Sequence, residues 1–133
     1  MNHHERHLAE VMYEHPERVL DLGHAHWLMF TRWDPDLELN PQFDTPEFDP
    51  PVERVGAQVY HRRRDGRMCV GAIHFDTPGS PFTNARNAWH VVTWEPLTVE
   101  PSLLCKMPLR FIDGSQGTCG DHGFIRAGVW VPV

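Results

Sequence analysis

The spacing of apolar residues divides this chain into a helical N-terminal part and a longer part with the features of β-strands. A narrow apolar stripe predicts a helix over residues 3–14, and a short helical turn is expected over 19–22, ending at Gly23. Strands or extended segments are predicted at 25–33, 56–63, 67–75, 88–94, 96–104, 123–126 and 129–133. The predicted fold is mostly β, a small sandwich or partly open barrel with an N-terminal helix, in the α+β class.

Glycine-containing turns predict two hairpins in the strand-rich part. Asp65-Gly66 is typical of a type I′ turn, and Ala127-Gly128 lies between the last two strands. Because side chains alternate along a strand, the strand over 67–75 has two different faces. One face carries Cys69, Gly71, Ile73 and Phe75, and the other carries Met68, Val70, Ala72 and His74.

Residues 34–53 form an acidic, proline-rich strap. This strap holds seven acidic residues, five prolines and no basic residue. Neither a helix nor a central strand tolerates that density of proline. We therefore expect an extended strap that packs on a single domain of residues 1–133 through Phe43 and Phe48, while its acids face solvent.

Charge and cysteine content narrow the class of protein. The net charge is −6, and the strap alone contributes −7, so the rest of the chain carries about +1. This balance predicts that the protein has no general phosphate-binding surface. The arginines at 62–64 are therefore not expected to bind nucleic acid. The sequence has three cysteines, a polar N-terminus and no apolar stretch long enough to span a membrane. These features predict a protein of the cytoplasm, without a membrane anchor.

A cysteine–histidine pattern predicts a zinc site. Cys119 and His122 are separated by two residues in a glycine-flanked turn, and Cys105 lies upstream. Thiolate and imidazole are the ligands that Zn²⁺ prefers, and a structural site uses four of them. His74, at a strand end, is the chosen fourth ligand. The alternatives that stay open are Cys69, His90 and the pair His24 and His26.

Catalytic patterns are scarce in this sequence. It has no glycine-rich phosphate loop, no G-x-S-x-G and no H-E-x-x-H. Asp121, beside His122, is interpreted as a residue that orients a ligand rather than as a general base. The alternative is a metal-dependent hydrolase in which His24, His26 and His122 hold a metal with an open coordination position.

Four segments of the C-terminal half follow a recognisable pattern: 75–80, Trp94, 97–103 and 122–129. They are similar to F-x-C-P-x-C, a tryptophan-containing strand, L-T-x-x-P-S-[IVL] and C-H-x-F-[IV]-x-x-G-[RKV] of a family of small bacterial and phage proteins classed as a domain of unknown function. Where the family pattern has cysteines, this chain has Thr77, Ser80 and Asp121. The resemblance implies a small phage-type protein and no agreed activity. If the family site uses those thiols, this chain has either lost the site or rebuilt it on Cys105 and Cys119.

The function predicted from these features is that of a phage-type protein in the host cytoplasm, carrying a structural zinc. It is predicted to be non-enzymatic and to act as an accessory that binds a protein partner. Besides the hydrolase, the remaining alternative is a metal-free component of a virion or its assembly.

Overall fold

Ten strands and one α-helix account for most of the part of the chain that the computed structural model describes, which is residues 2–32, 36–43, 54–77, 87–110 and 113–133. The helix, α1, spans His3–Glu14, and 3₁₀ turns lie at Pro16–Arg18 and Pro41–Phe43. The strands are β1 (Val19–Gly23), β2 (His26–Thr31), β3 (Gly56–Arg62), β4 (Met68–His74), β5 (His90–Trp94), β6 (Leu97–Leu104), β7 (Pro108–Arg110), β8 (Gln116–Thr118), β9 (His122–Arg126) and β10 (Val129–Pro132).

The first sheet is antiparallel, with the strand order β1-β2-β3-β4. Its first strand corrects the prediction of a helical turn over 19–22. Val19 and Leu20 pair with Met29 and Leu28 of β2, so cross-strand pairing overrides the weak helical spacing. A two-residue turn joins the strands, and both of its residues, His24 and Ala25, have positive φ angles, of 52° and 58°.

The second sheet is antiparallel as well, in the order β10-β9-β6-β5, and β7 and β8 form a separate small ladder. The hairpin predicted around Ala127-Gly128 is confirmed. Both turn residues have positive φ angles, of 51° and 76°, as a type I′ turn requires.

The main hydrophobic core lies between the two four-stranded sheets. Its members come from both sheets: Leu22, Leu28, Ala57, Val59, Ile73 and Phe75 from the first, and Leu97, Val99, Leu103, Ile125 and Trp130 from the second. A second cluster of Leu8, Met29, Tyr60 and Met68 joins α1 to the outer face of the first sheet. The fold is therefore mostly β with an N-terminal helix, as predicted, and its two large sheets pack as a sandwich.

The acidic strap of 34–53 lies mostly outside the described residues, and so do the predicted anchoring contacts of Phe43 and Phe48. In the described part, 36–43, the chain turns rather than extends. The amide of Asn40 donates to the carbonyl of Asp36, and the amide of Glu38 donates to the Asp36 carboxylate. Asp36 and Glu38 are exposed, in line with acids that face solvent.

Candidate metal centre

Three polar side chains form a row across one end of the first sheet, on the face that looks into the sandwich. His61 of β3 lies directly opposite His26 of β2 on one side and Cys69 of β4 on the other. Strand alternation places them on the same face as the core residues Leu28, Val59 and Ile73. His26 and His61 are each 4% exposed and Cys69 is 2% exposed, so all three require partners inside the protein.

The second sheet and the small β7–β8 ladder each bring one more cysteine to this row. Cys105 follows β6 and Cys119 follows β8, where the β6–β9 and β7–β8 ladders meet. The Cys105 amide donates to the Asp121 carbonyl at 2.8 Å, and the Gly120 amide donates to the Cys105 carbonyl at 2.9 Å. Gly120 has a φ of 71°, a conformation that glycine adopts without strain. These bonds tie the segments that carry Cys105 and Cys119 to each other.

The side chains of His61, Cys69, Cys105 and Cys119 form a four-ligand cluster, in which every ligand atom lies within 4.8 Å of every other. The sulfurs of Cys69 and Cys105 are 3.9 Å apart, and Nε2 of His61 is 3.1 Å from the Cys119 sulfur. In tetrahedral zinc sites, Zn–S bonds of about 2.3 Å separate two sulfurs by about 3.8 Å and a sulfur from a nitrogen by about 3.6 Å. The Cys69–Cys105 distance is close to that of such a site, and the His61–Cys119 pair would have to separate by about half an ångström.

A contact between His26 and Asp121 lies behind the cluster. Nε2 of His26 is 2.6 Å from Oδ2 of Asp121, and Nδ1 of His26 is 2.7 Å from the His24 carbonyl oxygen. A carbonyl oxygen and a carboxylate both accept hydrogen bonds, so both ring nitrogens of His26 face acceptors. The same Asp121 oxygen lies 3.9 Å from Nδ1 of His61. The Asp121 carboxylate therefore contacts His26 directly and lies near His61 without a hydrogen bond to it.

The electrostatics of the cluster suit a metal ion. Burial lowers the pKa of His61; the Asp121 charge opposes this shift, and the charges of His26 and Arg63 add to it. The lowered pKa favours the neutral ring, which can bind a metal. Burial raises the pKa of each thiol, Cys69, Cys105 and Cys119. Three neutral thiols in a partly buried site become thiolates most readily when a cation is bound among them.

Asp121 remains ionised beside these groups. Burial opposes its ionisation, but the hydrogen bond from His26 and the charges of His26, His61 and His122 together lower its pKa. The carboxylate thus forms a hydrogen bond with His26 and adds negative charge near the cluster.

The structure assembles part of the predicted site. Cys105 and Cys119 lie in the cluster, and so does Cys69, which was an open alternative. His122 lies outside it, since its Nε2 is 2.8 Å from the hydroxyl of Ser102. His74 points away because it lies on the face of β4 opposite to that of Cys69. The cluster takes its imidazole from His61, which the sequence analysis missed.

The remaining histidines of the predicted sets lie elsewhere among the described residues. His90 is exposed and bonds to the Asp76 carboxylate at 2.9 Å. His24 lies in the β1–β2 turn, and its carbonyl accepts the bond from His26. His24, His26 and His122 do not form a cluster in the described part of the chain, where His26 instead groups with His61 and Asp121.

Two openings reach the cluster, and both have His61 and Asp121 in their walls. An apolar cleft of about 310 Å³ lies between β4 and the segment 103–107, and its walls include His61 and Cys105. A polar groove of about 610 Å³ runs beside Arg62–Arg64, and its walls include Cys119. Cys69, which is 2% exposed, borders neither opening. The three thiols therefore differ in their access to solvent.

Trp130 packs against His26 from the second sheet. Its indole stacks on the His26 ring with centroids 4.0 Å apart and an interplanar angle of 11°. A Cβ atom at Gly123 would overlap Cε2 and Cζ2 of this indole. The glycine at position 123, interpreted from the sequence as giving a turn its freedom, is instead a strand residue that leaves room for the tryptophan.

Gly123→Ala is expected to lower the free energy of unfolding by about 2 kcal/mol, because the indole must move within a packed core. Urea unfolding measures this change. Gly71→Ala is the matched control, since Gly71 is also a strand residue but a Cβ there meets nothing within 4 Å. We expect Gly71→Ala to change stability by no more than about 0.5 kcal/mol. Equal stabilities for the two variants would contradict the packing role of Gly123.

No family model, curated protein or solved structure matches this chain. The resemblance to the phage-type family therefore stays a prediction. Among the described residues, no helix has the length and apolar character needed to cross a membrane.

Proposed function

We propose that this chain binds one zinc ion through His61, Cys69, Cys105 and Cys119, and that the metal is structural. The observation that carries this proposal is the convergence of four ligand atoms within 4.8 Å of one another. Three cysteines and one histidine are a common ligand set of structural zinc, and such soft ligands favour zinc over magnesium or calcium.

The structural role rests on where the ligands come from. His61 and Cys69 belong to the first sheet, while Cys105 and Cys119 lie in segments that continue the second sheet and the small β7–β8 ladder. An ion held by all four ligands joins both sheets at one end of the sandwich. Because the site assembles only in the folded chain, the free energy of zinc binding stabilises the fold.

A non-enzymatic role agrees with this ligand count. Catalytic zinc keeps a position for water or substrate, whereas four protein ligands fill the tetrahedral shell. The nearest carboxylate, Asp121, already accepts a hydrogen bond from His26. The wider role that we propose is that of an intracellular, phage-type accessory protein that binds a protein partner, in a compartment that keeps thiols reduced.

Elemental analysis of protein purified without a metal column is expected to find one zinc per chain. Replacement of zinc by Co²⁺ is expected to give the absorption of a tetrahedral ion with thiolate ligands. His61→Ala should lose the metal, whereas His61→Cys, which restores a ligand, should keep it. His122→Ala should keep it as well, because His122 bonds to Ser102 outside the cluster.

Two results would overturn the proposal. One is protein that stays free of zinc when refolded with the ion and keeps all three thiols open to alkylation. The other is loss of zinc in His122→Ala together with full zinc content in His61→Ala, which would return the site to the Cys-x2-His pair.

A further inference from the structure

Cys69 and Cys105 are positioned to react with each other. Their sulfurs are 3.9 Å apart and in hydrogen-bonding geometry, while the sulfur of Cys119 is engaged with Nε2 of His61 at 3.1 Å. A disulfide bond is about 2.05 Å long, so the two sulfurs need to approach by less than about 2 Å. Small rotations of two side chains cover that distance.

We propose that Cys69 and Cys105 are a site of oxidative modification, at which a peroxide converts the two thiols into a disulfide and zinc is released. The inference rests on the proposed function in so far as the metal is what the disulfide replaces. The oxidant is small and the modification is reversible by thiol reductants.

Access assigns different roles to the two cysteines. Cys105 is half-buried and forms part of the wall of the apolar cleft, which a peroxide molecule can enter. Cys69 is 2% exposed and lies behind it. Cys105 is therefore the thiol that meets the oxidant, and Cys69 is the resolving thiol that reacts with the oxidised Cys105.

The chemistry balances in two steps. The Cys105 thiolate attacks one oxygen of hydrogen peroxide, the O–O bond breaks, and the products are a sulfenic acid and hydroxide. The Cys69 sulfur then attacks the Cys105 sulfur, the S–O bond breaks, and the hydroxyl leaves as water after protonation. Two thiols supply two electrons and the peroxide becomes two waters. Zinc loses two of its four ligands and dissociates.

The disulfide preserves the link between the sheets. Cys69 lies in β4 of the first sheet, and Cys105 directly follows β6 of the second. The bond closes a loop between residues 36 positions apart. Oxidised protein is therefore expected to melt roughly 10 °C above the reduced, zinc-free protein, since a disulfide restricts the unfolded chain.

The test treats zinc-loaded protein with hydrogen peroxide, follows zinc with a colorimetric indicator, and maps disulfides by mass spectrometry after alkylation. Trypsin separates the three cysteines, because Arg86 lies between the first two and Lys106 and Arg110 lie between the last two. We expect one zinc released per disulfide, a linked pair of peptides carrying Cys69 and Cys105, and alkylated Cys119. Cys119→Ser should still form the disulfide, and Cys105→Ser should not.

Other products would overturn the inference. Disulfides of Cys119 with either partner as the main product would do so, and so would irreversible sulfonic acids without a disulfide. Reduced, metal-free protein is oxidised in parallel, so that the two proposals are tested separately. A chain that never binds zinc but forms the 69–105 disulfide contradicts the proposed function, and with it the release of zinc, but not the disulfide itself. A zinc-bound chain that forms another product contradicts only the inference.

Discussion

Cys69→Ser is expected to abolish stoichiometric zinc binding and to lower the free energy of unfolding by about 4 kcal/mol or more. Two effects add in this variant. The zinc ion loses a ligand that is 2% exposed and cannot be replaced by a nearby water without opening the core. The new hydroxyl is also buried between strands, where it has to find a hydrogen-bond partner.

Urea unfolding with and without a strong chelator separates these effects. In zinc, wild-type protein should be far more stable than Cys69→Ser. In chelator, most of the difference should vanish, because neither protein then carries metal. A cost of Cys69→Ser that is the same in both conditions would identify Cys69 as a core residue only. Ser102→Ala, near the cluster but outside it, should retain the response of wild type to chelator.

The strand content was predictable because local signals agreed with the fold. The Ala127-Gly128 turn and the paired segments around it needed only residues that are neighbours in sequence. The prediction of a helical turn over 19–22 was wrong because there the local signal disagreed with the fold. The apolar residues of this segment fit a helix by spacing, and pairing with residues of β2 decided the outcome.

The loop between β3 and β4 explains why the sequence did not indicate His61 as the residue opposite Cys69. A two-residue type I′ turn at Asp65-Gly66 would place Cys69 opposite Arg62. In the structure only Gly66 of the pair has a positive φ, of 85°, and the Arg63 amide bonds to the Arg67 carbonyl. The loop therefore holds three residues, a type I turn followed by a bulge, and the register shifts by one residue. Cys69 then faces His61, a shift that sequence periodicity alone does not reveal.

The sequence also could not predict that Cys105 and Cys119 lie close to His61 and Cys69. Cys105 and Cys119 belong to the second-sheet side of the sandwich, and their contact with His61 and Cys69 depends on how two sheets pack. The Cys-x2-His spacing correctly marked Cys119 as a member of the cluster. It offered His122 only because that residue is close in sequence, whereas the fold directs its ring to Ser102.

The affinity for zinc is expected to fall steeply as the pH falls, by up to about 1,000-fold per pH unit near neutrality. Burial raises the pKa of Cys69, Cys105 and Cys119, so in the metal-free protein all three are protonated at neutral pH. Zinc binding then releases up to three protons. His61 adds none in this range, because burial lowers its pKa and leaves the ring neutral. The zinc affinity falls with falling pH at every pH below the raised thiol pKa values. It falls more steeply still below the pKa of His61.

Competition with a chelator of known affinity, at several pH values between about 7.2 and 8.2, measures the slope of log affinity against pH. Cys119→His provides the matched control, since it keeps four ligands but replaces one protonated thiol by an imidazole that is largely neutral in this range. Its slope should fall from about three to about two. Cys119 suits this exchange because it borders the polar groove, where a larger side chain has room. An unchanged slope in this variant would mean that the Cys119 thiol loses no proton to zinc, and Cys119 would then leave the proposed ligand set.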